Sequence, residues 1–217
     1  MEDVFSNFDL VLKAFWLTVQ LAFLSGVAAM LLGTLLAAMR VGPVAVLRGV
    51  ASTYVTLVRN TPLLVMCVFV FVASPNLGLF VDTPFLLKGT IAISLYTAPF
   101  VAEAIRSGIN AVPVGQAEAA RAIGMTFAQN MRHVVLPQAF RATVPPLAST
   151  LIAMTKNTSV VAVFGLTEAT ARMRDFVNDN ADDTIAIFLV FALGYIILVE
   201  LISLAALGLE RHWKAAR

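Results

Sequence analysis

Four ionisable residues lie within long apolar stretches of this 217-residue sequence, and they are its first candidates for chemistry. They are Arg59, Glu103, Lys156 and Glu200. Charge at membrane depth is costly, so such residues usually line a cavity or pair with one another. An arginine can hold a carboxylate through two hydrogen bonds, a glutamate can face an ammonium group, and a lysine can hold a second carboxylate. Together these side chains could line a path for a solute that carries both carboxylate and ammonium groups.

Structural ion pairs explain part of the same pattern. Arg59 can pair with Glu103, and Glu103 can pair with Arg106, which follows it at the i, i+3 spacing of a helix. We interpret Glu200 as an interhelical partner rather than a substrate ligand. The sequence leaves both roles of Arg59 and Glu103 open.

Polar residues beside these charges add further candidate ligands. Asn157 and Thr158 follow Lys156 directly, and because they face different sides of a helix, at least one should point inward. Pro99, one turn before Glu103, frees a backbone carbonyl, which is tolerated where a helix borders a cavity. The segment around Pro99 is therefore a candidate wall of the site.

The composition indicates that lipid surrounds the chain. Hydrophobic residues make up 59% of the sequence and charged residues 13%, too apolar a mixture for one soluble core. The net charge is +2, and no basic cluster is interleaved with aromatic residues, so nucleic acid is not an expected partner. Cys67 is the single cysteine, which excludes an internal disulfide and indicates a small core residue.

The apolar stretches predict an all-α integral membrane protein with five transmembrane helices. The predicted spans cover residues of about 14–39, 49–74, 88–110, 142–165 and 184–209. The second is interrupted by Arg59 to Pro62, which places Arg59 inside the membrane or at its inner edge. Thr18 and Gln20 in the first span are expected to form helix-to-helix hydrogen bonds.

The distribution of charge predicts the orientation. Arginines concentrate in and beside one set of loops, whereas the other set collects acidic residues such as Asp82 and Glu168. The positive-inside rule then places the N-terminus, with external segment 1–13, outside the cell and the tail, 210–217, in the cytoplasm. Residues 14–209 form the membrane domain between them.

The longest polar connector between the spans is a helical elbow of residues 115–137. Gly124 can take the positive φ that ends a first short helix, and Thr126 with Gln129 is a capping box that starts a second. On this topology the elbow lies in the cytoplasm and is placed to meet a soluble partner.

The elbow resembles the EAA loop of permeases of ABC importers. The matching positions are Glu118, Ala119 and Ala120, then Gly124, then Leu136 and Pro137, with Val134 where the pattern usually has isoleucine. In that family the loop is the coupling helix that docks into a cleft of the ATPase subunit. The resemblance therefore implies the type I ABC importer permease fold and assigns these six residues to ATPase coupling.

Three further motifs are similar to those of the polar amino-acid permeases, which include histidine, glutamine, arginine and glutamate systems. They are Arg59 with Thr61, Ala102-Glu103 with Arg106, and the run from Lys156 through Asn157 and Thr158 to Ser159. The resemblance implies a substrate path formed by Arg59, Thr61, Glu103, Lys156, Asn157 and Thr158. It also implies an external amino-acid-binding protein, a second permease that is homologous or identical, and two ATPase copies in the bacterial cytoplasmic membrane. Asn157 replaces an acid often found there, which disfavours a cationic substrate. The overall resemblance to actinobacterial systems implies that the substrate is glutamate.

Catalysis by this chain alone is not expected. The sequence has no Gly-x-x-x-x-Gly-Lys-Ser/Thr phosphate loop, so ATP and Mg²⁺ are expected in a partner ATPase, with no cofactor bound here. The two histidines are isolated, and no spacing suggests a metal. The alternative is a secondary transporter or channel driven by an ion gradient through Glu103 and Glu200. Five spans without an internal repeat favour the importer subunit.

Overall fold

The structure of the chain, a computed structural model, describes residues 2–215, with side chains from 4 to 208, and is all-helical there apart from turns. The elements are α1 (Glu2–Ser6), α2 (Phe8–Val41), α3 (Ala45–Arg59), α4 (Leu63–Asn76), α5 (Phe85–Asn110), α6 (Val114–Ala122), α7 (Phe127–Phe164), α8 (Ala169–Asp179) and α9 (Thr184–Ala215). Four of them, α2, α5, α7 and α9, are long and apolar enough to cross a membrane. The last two residues of the predicted tail lie outside the described part.

Helices α2 and α5 run side by side in the same direction. A Cβ at Gly89 would lie 3.1 Å from Leu21, and a Cβ at Gly33 would lie 2.6 Å from Val101, so small residues allow the two backbones to approach closely. Because the two helices point the same way, the segment that connects them must cross back to the other end of the bundle.

The return is made by α3 and α4, which are bent by 104° at Asn60 to Pro62. The predicted second span is thus a broken pair and not one straight helix. The backbone of Pro62 is extended, and proline has no N–H to continue the helical series of hydrogen bonds, which accounts for the break. As one crossing, the pair brings the total to five.

Helix α7 runs against α5, and α9 runs parallel to α2. A Cβ at Gly108 would lie 2.0 Å from Thr143 Oγ1, so α5 and α7 cross in close contact near the end of α5. The ring of Phe15 packs on Gly194 in α9 and stacks on Phe191 at 5.8 Å. The start of α2 and the end of α9 therefore lie at opposite ends of the bundle. We call the end where α5 passes into α6 the elbow end.

Two further features differ from the sequence prediction. The second half of the elbow is not a separate short helix, because α7 continues through a π-helical segment, Met131–Val135, into the fourth span and to Phe164. The connection between the predicted fourth and fifth spans, to which the sequence assigned no helix, contains α8, whose Phe176 packs with Val4, Ile187 and Phe191. The core between the long helices includes Leu21, Ile93 and the fully buried thiol of Cys67.

Candidate functional site

Glu103 in α5 lies at the centre of three arginines. Arg40 Nη1 from the end of α2 donates to Glu103 Oε1, and Arg106 donates to Oε2 through Nε at 3.0 Å and Nη2 at 2.8 Å. Arg59 Nη1, from the end of α3, lies farther away, 3.5 Å from Oε1. Both oxygens of the carboxylate are thus satisfied by Arg40 and Arg106, and the cluster carries an excess of positive charge.

Within the described chain, Arg59 is the arginine of this cluster that forms an ion pair with Glu103 but no hydrogen bond to it. Its side chain is 45% exposed, against 17% for Arg40. Its guanidinium carbon lies 5.6 Å from the centroid of the Phe100 ring, a cation–π arrangement. Arg40, Arg59, Phe100 and Glu103 line a cavity of about 320 Å³. A carboxylate entering this cavity meets Arg59 without having to displace Arg106.

A second cavity, of about 300 Å³, lies between α5 and α7 and shares the Phe100 ring with the first. Its polar lining comprises Tyr96, Thr97, Ser149, Thr150 and Asn157. Thr97 is 3% exposed, and its Oγ1 has no hydrogen-bond partner within the described part of the chain. An unpartnered buried hydroxyl is costly, and a solute or water in the cavity could satisfy it.

The remaining candidates from the sequence lie elsewhere. Lys156 lines a separate cavity with Ser159, Thr170 and Tyr195, away from Arg59. Thr158 is fully buried and donates to the carbonyl of Thr155 at 2.7 Å. Thr61 donates to the carbonyl of Leu57 at 2.9 Å. The structure therefore brings Arg59 and Glu103 together, places Asn157 in the adjoining cavity, and separates the other three from both.

Glu200 does not have the interhelical partner expected for it. Its side chain is exposed on α9, and it forms no hydrogen bond or ion pair with the described part of the chain. The sequence shows which face of a helix carries a charge, but it does not show what that face meets in the folded protein.

Glu168 is a buried carboxylate that the sequence did not reveal. It is fully buried at the start of α8, where Oε1 accepts from the N–H of Ala171 at 3.0 Å. Its Oε2 accepts from the hydroxyls of Tyr195, at 2.7 Å, and Thr18, at 3.3 Å. Thr18 thus forms the helix-to-helix bond expected of it. The position of Glu168 directly before a helical segment, as its N-cap, was the sequence signal that could have indicated this role.

The elbow residues of the EAA pattern divide into exposed and buried positions. Glu118 and Ala119 are exposed, whereas Ala120 is buried against the bundle. Gly124 has φ +86°, and the N–H groups of Gly124 and Met125 close a Schellman motif on the carbonyls of Arg121 and Ala120. The Thr126–Gln129 capping box is formed in both directions. Leu136 and Pro137 are exposed on α7.

Large apolar side chains project from this end of the molecule. Exposures range from 46% at Leu136 to 77% at Ile123, and the set comprises Val114, Ile123, Phe127, Leu136 and Phe140. Arg121 and Arg132 are exposed in the same segment. An apolar patch beside cations is the composition of a protein contact surface.

Known proteins resemble this chain over most of its length. Residues 29–214 match the family model described as the binding-protein-dependent transport system inner membrane component. The glutamate transport system permease protein GluC of Corynebacterium efficiens is 44% identical over 198 residues, covering 87% of each chain. The probable glutamine ABC transporter permease protein GlnM of Bacillus subtilis is 33% identical over 209 residues, covering 96% of this chain and 95% of the relative.

Solved structures agree with the fold. A chain from the crystal structure of an amino acid ABC transporter with histidines superposes with a TM-score of 0.88 at 30% identity, covering 97% of both chains. An inward-facing methionine ABC transporter chain superposes with a TM-score of 0.76 at 24% identity, covering 95% of this chain and 97% of that one. The second likeness concerns the fold alone.

Proposed function

The chain belongs to the binding-protein-dependent transport system inner membrane component family, and we propose that the amino acid it carries is glutamate. It is a permease subunit of an ABC amino-acid importer in the bacterial cytoplasmic membrane. The observation that carries the substrate proposal is the cluster of Arg40, Arg59 and Arg106 around the single carboxylate of Glu103. Its positive excess complements a substrate with two carboxylates and one ammonium group. The 44% identity to a glutamate permease supports the same substrate.

Arg59 and Glu103 have different roles in this proposal. Glu103 is held by Arg40 and Arg106 and serves as a fixed anchor that keeps the guanidinium groups in place. Arg59 binds a substrate carboxylate in the first cavity. Thr97 and Asn157 offer hydrogen bonds in the second cavity, on the other side of Phe100. The two cavities are successive binding positions along one substrate path.

The partners follow from the elbow and from the family. A separate ATPase, in two copies with Mg²⁺-ATP, docks on the exposed surface of Glu118, Ala119 and the neighbouring apolar side chains. A second permease subunit, homologous or identical, completes the path, and an external binding protein delivers the amino acid. The elbow end faces the cytoplasm, and the start of α2 faces outward.

Uptake by the reconstituted complex tests the substrate. Proteoliposomes containing the permease, its partner subunit and the ATPase, with the binding protein added outside, should accumulate labelled glutamate only when ATP is enclosed. Unlabelled glutamate should compete better than glutamine or arginine. Accumulation without ATP, driven by an ion gradient, would support the secondary-transporter alternative instead. Preferential accumulation of a neutral or cationic amino acid would contradict glutamate while leaving the importer intact.

An arginine variant tests the site. Arg59→Gln should lower the initial rate of glutamate uptake by about 10-fold to 100-fold, the effect expected for losing one charge-assisted hydrogen bond. Arg48→Gln is the matched control because Arg48 lies on the same helix, α3, is exposed and donates to the carbonyl of Gly42 outside the cavity. Equal uptake by the two variants would show that Arg59 is only an ion-pair partner.

A further inference from the structure

Helix α6, which carries the EAA residues, is attached to the start of α7 by contacts outside the EAA pattern. We propose that Asn130 is a positioning residue that fixes α6 to α7, so that the two helices move as one body when the ATPase acts. This inference rests on the proposed function, because it presumes that force enters through α6.

Asn130 forms the most buried polar contact between these helices. It lies in the first turn of α7, is 6% exposed, and donates from Nδ2 to the carbonyl of Ala117 at 2.9 Å. Its Oδ1 is buried without a hydrogen-bond partner in the described chain. An unsatisfied buried acceptor is destabilising, so packing alone would favour an apolar residue here. The bond donated to α6 is the interaction that an apolar residue could not replace.

Other contacts hold α6 in the same place. Gln138 donates from Nε2 to Gln116 Oε1 and to the carbonyl of Val134 at 2.8 Å. Asn130 and Gln138 are eight residues apart, which is about 12 Å along a helix, so α6 is held at two levels of α7. Between them, Ala117 packs on the buried cluster formed by Val112, Val135 and Ala139.

The attachment connects the elbow directly with the substrate cavity. Helix α7 continues from the Thr126 cap through Asn157, which lines the second cavity. Residues 130 and 157 are separated by about 40 Å of helix. The contact of Gly108 with Thr143 adds the end of α5 to the same body. A displacement of α6 thus reaches Asn157 without passing through a loop.

The first test removes the bond and keeps the size of the side chain. Asn130→Asp loses the donor and sets a carboxylate oxygen against the Ala117 carbonyl. The expected result is a rise of about tenfold in ATP hydrolysed per glutamate transported in the reconstituted complex. Asn110→Asp is the matched control, since Asn110 is exposed at the end of α5. An unchanged ratio for Asn130→Asp in a correctly assembled complex would overturn the proposal.

The second test joins the two helices covalently. In the double variant Gln116→Cys with Gln138→Cys, a short bis-methanethiosulfonate should bridge α6 and α7 through two disulfides, each thiol displacing methanesulfinate, while the buried native Cys67 stays unmodified. Because the proposal requires no relative motion, the bridged complex should keep most of the uptake of the unbridged one. Loss of uptake on bridging, reversed when the bridge is reduced, would overturn it.

The same measurements separate this inference from the function on which it rests. If the wild-type complex shows no ATP-dependent uptake of any amino acid, the proposed function fails. If it transports and bridging stops transport, only the attachment fails. If Asn130→Asp does not assemble, the bridging result decides alone.

Discussion

At the scale of single residues, the buried charges are held by neighbours that are distant in sequence. The main partner of Glu103 from outside its own helix, Arg40, is 63 positions away, and Glu168 is 150 positions from Thr18. The sequence predicted that charges at membrane depth would be paired or line a cavity, and it predicted the local pair with Arg106. It also offered the distant pair of Arg59 with Glu103, which the structure places 3.5 Å apart. It did not identify Arg40 as a partner of Glu103 or Glu168 as a partner of Thr18, because periodicity determines a helical face without saying which helix it meets.

The Tyr195 hydroxyl should contribute measurably to stability. Tyr195→Phe leaves Glu168 Oε2 with one hydrogen-bond donor fewer in a fully buried place, which should lower the free energy of unfolding by about 1–3 kcal/mol. A thermal unfolding scan of the purified permease should show a lower Tm. Tyr96→Phe is the control, since the Tyr96 hydroxyl has no hydrogen bond in the described chain. Equal Tm values for the two variants would contradict this account of Glu168.

At the scale of elements, the site is positioned by the helices that continue without interruption and by those that are broken. The Thr126 capping box and the Gly124 turn were both predicted from local sequence, because turns and caps depend on a few adjacent residues. The continuation of α7 through Pro137 was not, because proline near the start of a helix resembles a boundary. The bend at Pro62 was visible in the sequence as an interruption, but its angle depends on packing against α5.

Gly124 should be required for its backbone conformation and not for space. Its φ is +86°, and nothing lies within 4 Å of an added Cβ. Gly124→Val should therefore strain the turn by about 1–2 kcal/mol and impair coupling, seen as ATP hydrolysis without uptake in proteoliposomes.

Two comparisons isolate that cause. Gly115→Val places the same side chain in the same elbow, at a glycine without positive φ and with open space, and should couple normally. Gly124→Asn should be tolerated better than Gly124→Val, because asparagine adopts positive φ more readily. Normal coupling by Gly124→Val would remove the turn from the mechanism.

At the scale of the whole molecule, the parallel course of α2, α5 and α9 determines the topology. Composition was sufficient to predict an all-α membrane protein, because an apolar stretch of this length in lipid must satisfy its own backbone hydrogen bonds, as a helix does. Which residues share a cavity could not be predicted, because Lys156 and Asn157 are adjacent in sequence but line different cavities.

Thiol labelling in intact cells should reveal the orientation. Asp182→Cys, exposed in the connection between α8 and α9, should react with a membrane-impermeant maleimide. Ile123→Cys, 77% exposed at the elbow in the native side chain, should react only after the cells are opened. The reverse pattern would place the elbow outside and exclude a cytoplasmic ATPase as its partner.

The shared position of Phe100 has a consequence for the resting cell. One aromatic ring forms a wall of both the positively charged cavity and the neutral one. A side chain between the two spaces interrupts a continuous file of water, and proton conduction requires such a file. We therefore expect a smaller residue at position 100 to raise the proton leak through the idle permease.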